Sequence, residues 1–377
     1  MKNILFLSHT QISNDSRILK VINVAKQQNN SSVTAIGIGS RDNNTPQSSS
    51  SNINDINLRS RSLSFFPKII RHILSLLEFY IKAICNIFQK HIHIIYCNDD
   101  TPLILSVIIK IWKRSKLIYD AHELESDRNG ISAIRGNLIR LIEKKMWGQV
   151  DHFITVSPSI MEWYKKEYGE KNSSVVYNTP QIAINDRRVI TFREKFELQD
   201  TQKIYLYLGK LMPGRGLTDI ISTFSQLSNE YCFVMMGDGH LKNSLQRQVE
   251  KLNCRNVFFH EPVEHDQVVN LAATADYGLC LLENVSKSDY LALPNKLFEY
   301  YFAGLPIIAS NFPEIDNFVN ASQFGITIPP DQKLIDVITN MKPSIEYTKN
   351  DTNIQSFKSE TQNAILHEIF DQQLKAL

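Results

Sequence analysis

Short, continuously apolar runs recur along this chain and are separated by segments of helical periodicity. Because these runs do not alternate apolar and polar residues, each one predicts a strand buried on both faces, as in a parallel sheet. The first half contains NILFLS, VTAIGIG, HIIYCN, KLIYDA, HFITVS and SVVYN, and the second contains KIYLYLG, YCFVMMG, NVFFHE, YGLCLL and LPIIAS. We therefore predict an α/β protein of two doubly wound, Rossmann-like domains that face a cleft.

The series of strands is interrupted once, which sets the expected domain boundaries. With 377 residues the chain suits two domains of common size. We expect an N-terminal acceptor-binding domain over 1–185, with a C-terminal helix at about 355–377 crossing back onto it. A polar linker near 180–200 would lead to a nucleotide-sugar-binding domain over 195–354. The Asn- and Ser-rich tract 40–62 predicts a mobile loop.

Composition and missing motifs exclude several classes of function. A formal net charge of +2 is too small to predict a nucleic-acid partner. The five cysteines form no CxxC pair, which is typical of reduced thiols in a cytoplasmic protein. No GxGxxG follows the first strand, which argues against a nicotinamide or flavin enzyme.

One apolar and basic segment, Phe65–Lys90, bears on localisation. Its charges at Lys68, Arg71, Glu78 and Lys82 rule out a helix that spans a membrane. Two interpretations stay open. The segment is either a helix that covers a sheet or a helix that touches the membrane surface, at the inner face of the cytoplasmic membrane.

The loop LGKLMPGRGLTDII predicts an anion site in the second half. Lys210 and Arg215 flank a Pro-Gly turn, and a helix begins near Gly216. Two cations beside the free N–H groups of a helix start can hold a diphosphate without a metal. Gly237 and Asp238, in MMGDG, would let a ligand approach the backbone. The alternatives are a solvated loop and a plain turn.

The stretch LPNKLFEY places a cation and a carboxylate at a second helix start. Lys296 can meet phosphate, and Glu299 can accept two hydrogen bonds from ribose hydroxyls. With Leu297 between them, they form the predicted nucleotide-binding turn. The alternative is a capped surface helix with an ion pair three residues apart.

In the first half, KLIYDAHE places His122 just after a buried strand. His122 can bind a sugar hydroxyl or steer a proton, with Asp120 and Glu123 as orienting neighbours. The alternative is a packed and satisfied histidine.

Two further strand ends in the first half supply polar side chains for the acceptor. Neighbouring residues on a strand point to opposite faces, so a two-carboxylate metal clamp at Asp99 and Asp100 is doubtful, and we predict no metal site. Acceptor contacts or helix capping are favoured instead. The predicted acceptor-side residues are His9, Asp15, Arg17, Asn98, Asp99 and Glu123.

These landmarks, in this order, resemble the GT-B glycosyltransferases of family 4, a large retaining group. The resemblance covers nearly the whole chain and rests on NDSRILK, YDAHE, ITVSPSIMEWYKKEYG, the loop at Lys210–Arg215, the GDG turn, ADYGLCLL and LPNKLFEYYFAGLPIIAS. It implies that Lys210 and Arg215 grip the donor diphosphate and that Glu299 binds the ribose. The family's first acid of its E-x7-E element would fall at Leu291 and is absent.

The resemblance also implies a reaction. A retaining enzyme would move a sugar from a nucleotide-diphosphate sugar, a UDP-sugar by expectation, to a glycan or lipid-linked glycan. No further cofactor is implied, and His122 would lie beside the donor sugar. The product would belong to a cell-surface polysaccharide such as capsule or lipopolysaccharide. A sugar-nucleotide epimerase and a catalytically silent partner subunit are the alternatives.

Overall fold

The computed structural model describes residues 1–39, 53–180, 189–340 and 354–377. Most of the predicted 40–62 loop and part of the predicted 180–200 linker lie outside these residues. The chain divides into two compact units, which are Met1–Tyr177 with Gln362–Leu377, and Asn178–Thr361.

The first unit is built on a parallel sheet of seven strands, in the order β3-β2-β1-β4-β5-β6-β7. The strands are β1 (Lys2–Leu7), β2 (Ser31–Ile38), β3 (Ile53–Ile56), β4 (Ile94–Asn98), β5 (Lys116–Ala121), β6 (His152–Thr155) and β7 (Ser173–Val175). The helices between them are α1 (Ser16–Lys26), α2 (Lys68–Ile87), α3 (Leu103–Lys113), α4 (Ala133–Met146) and α5 (Pro158–Tyr168). β4 and the central residues of β1 and β5 are fully buried, as their apolar runs predict.

The second unit repeats this plan with six parallel strands, in the order β10-β9-β8-β11-β12-β13. The strands are β8 (Lys203–Leu208), β9 (Tyr231–Met236), β10 (Val257–His260), β11 (Tyr277–Cys280), β12 (Ile307–Ser310) and β13 (Gly325–Ile328). The helices are α6 (Phe192–Phe196), α7 (Leu217–Phe224), α8 (Lys242–Lys251), α9 (Val268–Ala272), α10 (Lys287–Leu291), α11 (Asn295–Ala303), α12 (Pro313–Ser322) and α13 (Leu334–Asn340).

The prediction of two doubly wound α/β domains is confirmed. In both sheets the strand order reverses beside the first strand, between β1 and β4 and between β8 and β11. Ligands of open α/β sheets bind at the carboxyl ends of the strands at such a reversal. The fold therefore predicts one candidate site in each unit.

The last helix, α14 (Ser359–Lys375), contributes to the core of the first unit. Phe370 is fully buried, and its ring centroid lies 6.4 Å from that of Phe6 on β1 and 5.8 Å from that of Tyr96 on β4. The amide N–H of Tyr177 donates to Gln362 Oε1 at 2.8 Å. The helix thus completes a core that the first part of the chain begins.

Two stretches predicted to be irregular contain regular structure. The predicted 40–62 loop holds β3 and a short 3-10 helix, Arg59–Ser62. The polar β3 was missed because Asp55 has a structural role: its carboxylate accepts from the backbone N–H groups of Ile12 and Ser13 at 2.9 and 3.2 Å. The predicted linker holds α6, which begins with a capping box at Thr191 and Glu194, a signal the sequence did carry.

The apolar segment Phe65–Lys90 forms α2, a helix of 20 residues. Ser75, Phe79, Ala83 and Ile87 lie buried along one face, as a helix covering a sheet requires. Within the described residues, none of the helices combines the length and the apolar character needed to cross a bilayer.

Candidate functional site

In the second unit the two central strands separate, and a tyrosine fills the gap. β8 and β11 pair only at Tyr205–Tyr277 and Leu206–Gly278. Beyond that point the hydroxyl of the buried Tyr300 accepts from the Leu208 N–H and lies within 3.0 Å of the carbonyl oxygens of Leu206 and Leu279. Tyr300 belongs to α11, so this contact fixes the start of α11 at the carboxyl ends of both strands.

Gly278 makes this arrangement possible. A Cβ atom there would lie 2.4 Å from the ring of Tyr300, which real Cβ contacts do not show. The absence of a side chain on β11 therefore lets α11 approach the sheet closely.

The start of α11 carries the predicted cation and carboxylate. The Lys296 ammonium lies 3.6 Å from the ring centroid of Tyr207, a cation–π contact at the end of β8. Glu299, one turn later, is half-buried. Burial raises the pKa of Glu299, while His265 and Lys296 act to lower it. The structure therefore brings Lys296 and Glu299 together at the strand ends.

The loop after β8 brings the predicted basic pair to the same region. The Tyr207 hydroxyl donates to the carbonyl oxygen of Lys210 at 2.8 Å, and the Lys210 side chain is exposed. Burial raises the pKa of the Cys280 thiol at the end of β11, while Lys296 and Arg215 act to lower it. A Cβ atom on Gly216, the residue after Arg215, would lie 2.6 Å from the Leu281 carbonyl oxygen just after β11, so the backbone next to Arg215 also lies near this strand end.

Arg215 is held by a carboxylate that the sequence analysis did not identify. Its Nη1 atom lies 3.1 Å from Oδ1 of the buried Asp289. The Ser286 hydroxyl donates to the other carboxylate oxygen at 2.9 Å. Asp289 lies two residues before Leu291, the position at which the first acid of the family's E-x7-E element is absent. Its carboxylate orients the guanidinium of Arg215.

The start of α7 also meets a carboxylate. Gly216 has a φ of 66° and is the N-cap residue, and its N–H donates to Glu283 Oε1 at 3.0 Å. α7 begins at Leu217, directly after the loop that carries Lys210 and Arg215. The Glu283 carboxylate thus accepts a hydrogen bond from one of the N–H groups at the start of α7.

The GDG turn requires its glycines for a reason other than the one predicted. A Cβ atom on Gly237 would lie 1.9 Å from the carbonyl oxygen of Gly209, and one on Gly239 would lie 2.3 Å from that of Leu211. These glycines therefore admit the neighbouring loop, and a contact of Gly237 or Asp238 with a ligand stays a prediction. The exposed Asp238 accepts from the Gly239 N–H at 2.9 Å, which stabilises its own turn.

Leu297 does not reach the site through its side chain, which is fully buried in the core. Its N–H donates to the carbonyl oxygen of Pro294 at 3.1 Å. The face of α11 that carries the Leu297 side chain therefore packs inward, and a contact of the Leu297 backbone with a nucleotide stays a prediction.

In the first unit, Asp120 is the centre of a buried polar cluster. Its carboxylate, fully buried at the end of β5, accepts from Arg17 at 2.8 Å, from the Tyr96 hydroxyl at 2.8 Å and lies 3.1 Å from His122 Nε2. Burial acts to raise the pKa of Asp120, but Arg17 and His122 outweigh it and hold the pKa below its usual value. Asp120 is therefore an anion that orients His122.

A second carboxylate holds the other ring nitrogen of His122. Nδ1 lies 3.3 Å from Asp99 Oδ1. Burial acts to lower the pKa of His122, but Asp99 and Asp120 more than offset it and raise the pKa. An imidazolium that donates from both nitrogens has no lone pair to accept a proton. His122 can therefore act as a fixed positive charge.

The remaining acceptor-side predictions divide into supporting and exposed residues. Asp15 caps α1 by accepting from the Ile18 N–H, and the buried Arg17 is committed to Asp120 and to the Val176 carbonyl oxygen. Asn98 is fully buried and donates to the Leu7 carbonyl oxygen. Arg17 and Asn98 are therefore buried supports of the strand ends, Asp15 is half-buried at the start of α1, and acceptor contact by any of them stays a prediction. Glu123 is exposed, and His122 is oriented by Asp99 instead.

His9 and Asp99 meet at the reversal between β1 and β4. His9 Nδ1 lies 3.8 Å from Asp99 Oδ2. Asp99 has a φ of 65°, an unusual backbone conformation that turns its side chain toward both histidines. Asp100 points elsewhere, to Arg128 at 3.5 Å. Tyr96 and Arg128 were not predicted, because no motif in the sequence marks them. Within the residues that the structure describes, no group of three or more His, Cys, Asp or Glu side chains forms a metal site.

Two family models match the chain, one over each unit. The model described as "Glycosyltransferase Family 4" matches residues 31–179, and that described as "Glycosyl transferases group 1" matches residues 189–344.

Among curated proteins, the chain is 25% identical over 248 residues to the chitobiosyldiphosphodolichol beta-mannosyltransferase of Candida albicans, which covers 60% of this chain and 54% of that protein. Similar enzymes of Kluyveromyces lactis and Debaryomyces hansenii are covered over 62% and 55% of their lengths. The chain therefore spans little more than half the length of these relatives.

Solved structures show the same fold. A sucrose-phosphate synthase from Thermosynechococcus elongatus superimposes with a TM-score of 0.80 at 16% identity, with all of both chains covered. Anabaena Alr3699/HepE in complex with UDP-glucose superimposes with a TM-score of 0.72 at 15% identity, again with all of both chains covered. At these identities the likeness establishes the fold, which is GT-B.

Proposed function

Since the chain belongs to the GT-B glycosyltransferases of family 4, we propose that it is a retaining enzyme that transfers a sugar from a nucleotide-diphosphate sugar to a glycan or lipid-linked glycan. The observation that carries the proposal is the placing of two helix-start features at the carboxyl ends of β8 and β11: Lys296 and Glu299 on α11, and the loop that carries Arg215. We take the donor to be a UDP-sugar, because the HepE structure holds UDP-glucose.

The second unit supplies the groups that a sugar nucleotide needs. Lys210 and Arg215 would grip the diphosphate, and Lys296 adds a third positive charge at a helix start. Glu299 would accept hydrogen bonds from the ribose hydroxyls. Because a negative charge develops on the departing diphosphate, fixed cations lower the barrier without a metal.

The first unit contributes a charge and not a base. His122 Nε2 lies 3.1 Å from Asp120 and Nδ1 lies 3.3 Å from Asp99, so two carboxylates favour the protonated ring, which is unsuited to removing the acceptor proton. We therefore assign that proton to the departing phosphate oxygen. In this step the bond from the anomeric carbon to the diphosphate breaks as the bond to the acceptor oxygen forms on the same face. A fixed dipole and charge at His122 would orient the sugar.

The apolar surface of α2 supports contact with a membrane. Ile69, Ile73, Leu77 and Ile81 are spaced by four residues and are 75%, 52%, 51% and 63% exposed. Large apolar side chains in one stripe beside basic residues are typical of helices that lie on a membrane surface. We propose a peripheral position at the inner face of the cytoplasmic membrane, where lipid-linked acceptors for capsule or lipopolysaccharide are elongated.

The donor site is tested by titrating UDP into the Glu299→Ala variant by calorimetry. Loss of charged hydrogen bonds to ribose should weaken binding by roughly tenfold or more, with the fold intact. Glu250→Ala, an exposed carboxylate on α8, is the matched control and should bind as the unaltered protein does. Equal UDP affinity in Glu299→Ala and the unaltered protein would remove Glu299 from the ribose site.

The reaction class is tested with a panel of nucleotide sugars. Transfer to an acceptor, or slow donor hydrolysis, supports the glycosyltransferase. Isomerisation of the donor would support an epimerase, and the absence of any turnover would support a silent partner subunit.

A further inference from the structure

A positively charged cavity of about 540 Å³ lies within the first unit. It opens beside the ends of β1, β2 and β4, and none of its lining residues among those that the structure describes is an Asp or a Glu. The basic side chains that line it are His9, Arg61, Lys68, Arg71, His72 and Arg135, which we call the cationic pocket. We propose that the cationic pocket binds the phosphate or diphosphate group of a lipid-linked acceptor. This inference rests on the proposed function and names the chemistry of its acceptor.

Three cations of the pocket lack a carboxylate partner in the described part of the chain. Among the described residues, Lys68, Arg71 and Arg135 have no carboxylate within 4.0 Å. The closest acid on α2, Glu78, is committed to Lys82 at 2.6 Å and to the Ser60 N–H at 2.8 Å. Cations that converge on one cavity repel one another, and an anionic ligand relieves that repulsion.

The geometry suits a phosphate. The pocket collects side chains from α2, from the first turn of α4 and from the segment before α2. Arg135 follows Ala133, the first residue of α4, where backbone N–H groups also favour an anion. Its volume falls within the range of small-ligand sites and admits a diphosphate with an attached sugar.

His9 connects the pocket to the His122 cluster. It lines the cavity, and its Nδ1 lies 3.8 Å from Asp99, which in turn lies 3.3 Å from His122. Nδ1 of His9 is buried and has no hydrogen-bond partner within the described part of the chain. A hydroxyl group of an acceptor bound beside the pocket would supply a hydrogen-bond partner for this nitrogen. The anion site therefore adjoins the groups that we place near the reacting sugar.

The apolar stripe on α2 indicates that the phosphate is attached to a lipid. Lys68, Arg71 and His72 face the cavity, and Ile69 and Ile73 are exposed on the adjacent face of the same two turns. An amphiphile with an anionic head and an apolar chain fits both surfaces at once. A free phosphate or sugar phosphate would use the pocket alone.

The test measures binding of two probes, farnesyl diphosphate and inorganic pyrophosphate, to the full chain by calorimetry in the presence of excess UDP. UDP occupies the proposed donor site, so the probes report on the first unit. The unaltered protein should bind both probes, and farnesyl diphosphate more tightly. The double variant Arg71→Gln/Arg135→Gln should weaken both probes by roughly tenfold or more. Ile69→Ser/Ile73→Ser should weaken farnesyl diphosphate only.

Lys144→Gln/Lys145→Gln removes two exposed cations of α4 that do not line the cavity, and serves as the matched control. Lys68→Gln/His72→Gln is a second pocket variant that should behave as Arg71→Gln/Arg135→Gln does. Equal affinities of both pocket variants and the unaltered protein would overturn the proposal. Equal affinities of the unaltered protein for the two probes would overturn the lipid assignment. Unaltered UDP affinity in the pocket variants separates these outcomes from a failure of the donor site.

Discussion

Asp99 illustrates how one residue sets the chemistry of the first unit. It is buried, adopts a positive φ and lies between His9 and His122. With Asp120 on the other side, it raises the pKa of His122 above its ordinary value although burial acts to lower it. The charged form of His122 is thus a property of its two neighbours and not of the histidine alone.

We predict that Asp99→Asn lowers the pKa of His122 and moves the alkaline limb of kcat/KM to lower pH. Asn tolerates a positive φ, so the backbone conformation is retained. NMR titration of the His122 ring gives the pKa directly. Glu162→Gln, an exposed carboxylate on α5, should change neither midpoint. An unchanged His122 midpoint in Asp99→Asn would contradict the assignment.

The raised pKa of His122 sets the direction in which the unfolding free energy changes with pH. The stabilisation from protonated His122 is complete below the unfolded pKa of about 6.5 and is lost as pH rises through the folded pKa. The difference in unfolding free energy between the unaltered protein and Asp99→Asn should therefore be larger at low pH than at high pH, as measured in urea.

At the scale of elements, α11 is the part that brings the second site together. Its position depends on the Tyr300 hydroxyl between β8 and β11 and on the bare backbone at Gly278. Lys296 and Glu299 extend from the same helix start, so their distance from the strand ends follows from that one buried contact.

We predict that Tyr300→Phe lowers the unfolding free energy by about 1–3 kcal/mol, because the Leu208 N–H loses its buried acceptor. UDP affinity should fall as well, since the start of α11 is less firmly held. Urea unfolding and calorimetry measure the two effects. Tyr231→Phe, at the start of β9, is the control and should change neither. Unaltered stability and affinity in Tyr300→Phe would show that α11 is positioned by other contacts.

At the scale of the whole molecule, the chain returns at its end to the unit in which it began. α14 places Leu366, Ile369 and Phe370 in the core of the first unit, and Lys2 donates to the Leu374 carbonyl oxygen at 2.6 Å. Residues at opposite ends of the sequence therefore stabilise one sheet.

We predict that Phe370→Ala destabilises the first unit by about 3–5 kcal/mol, the usual cost of removing a buried aromatic ring. Hydrogen exchange should accelerate in β1 and β4, and β8 and β9 should exchange as before. Phe88→Ala, which removes a ring that is 64% exposed in the same unit, should have little effect. Equal acceleration in both sheets would contradict the assignment of α14 to the first unit.

The sequence by itself determined the fold class and the family. Buried parallel strands need continuous apolar runs, and local patterns of this kind can be read without tertiary contacts. β3 was missed because Asp55 accepts from the Ile12 N–H, which lies 43 positions away, and no local pattern marks such a contact. α6 was missed although its capping box at Thr191 and Glu194 is a local signal.

Tertiary structure alone decided which charges meet. The Arg215–Asp289 pair joins residues 74 positions apart, and the Arg17–Asp120 pair joins residues 103 apart. The cationic pocket collects residues from His9 to Arg135, and no spacing along the chain marks them as neighbours. Electrostatic interactions depend on distance in space and on burial, and both are set only when the strands and helices have packed.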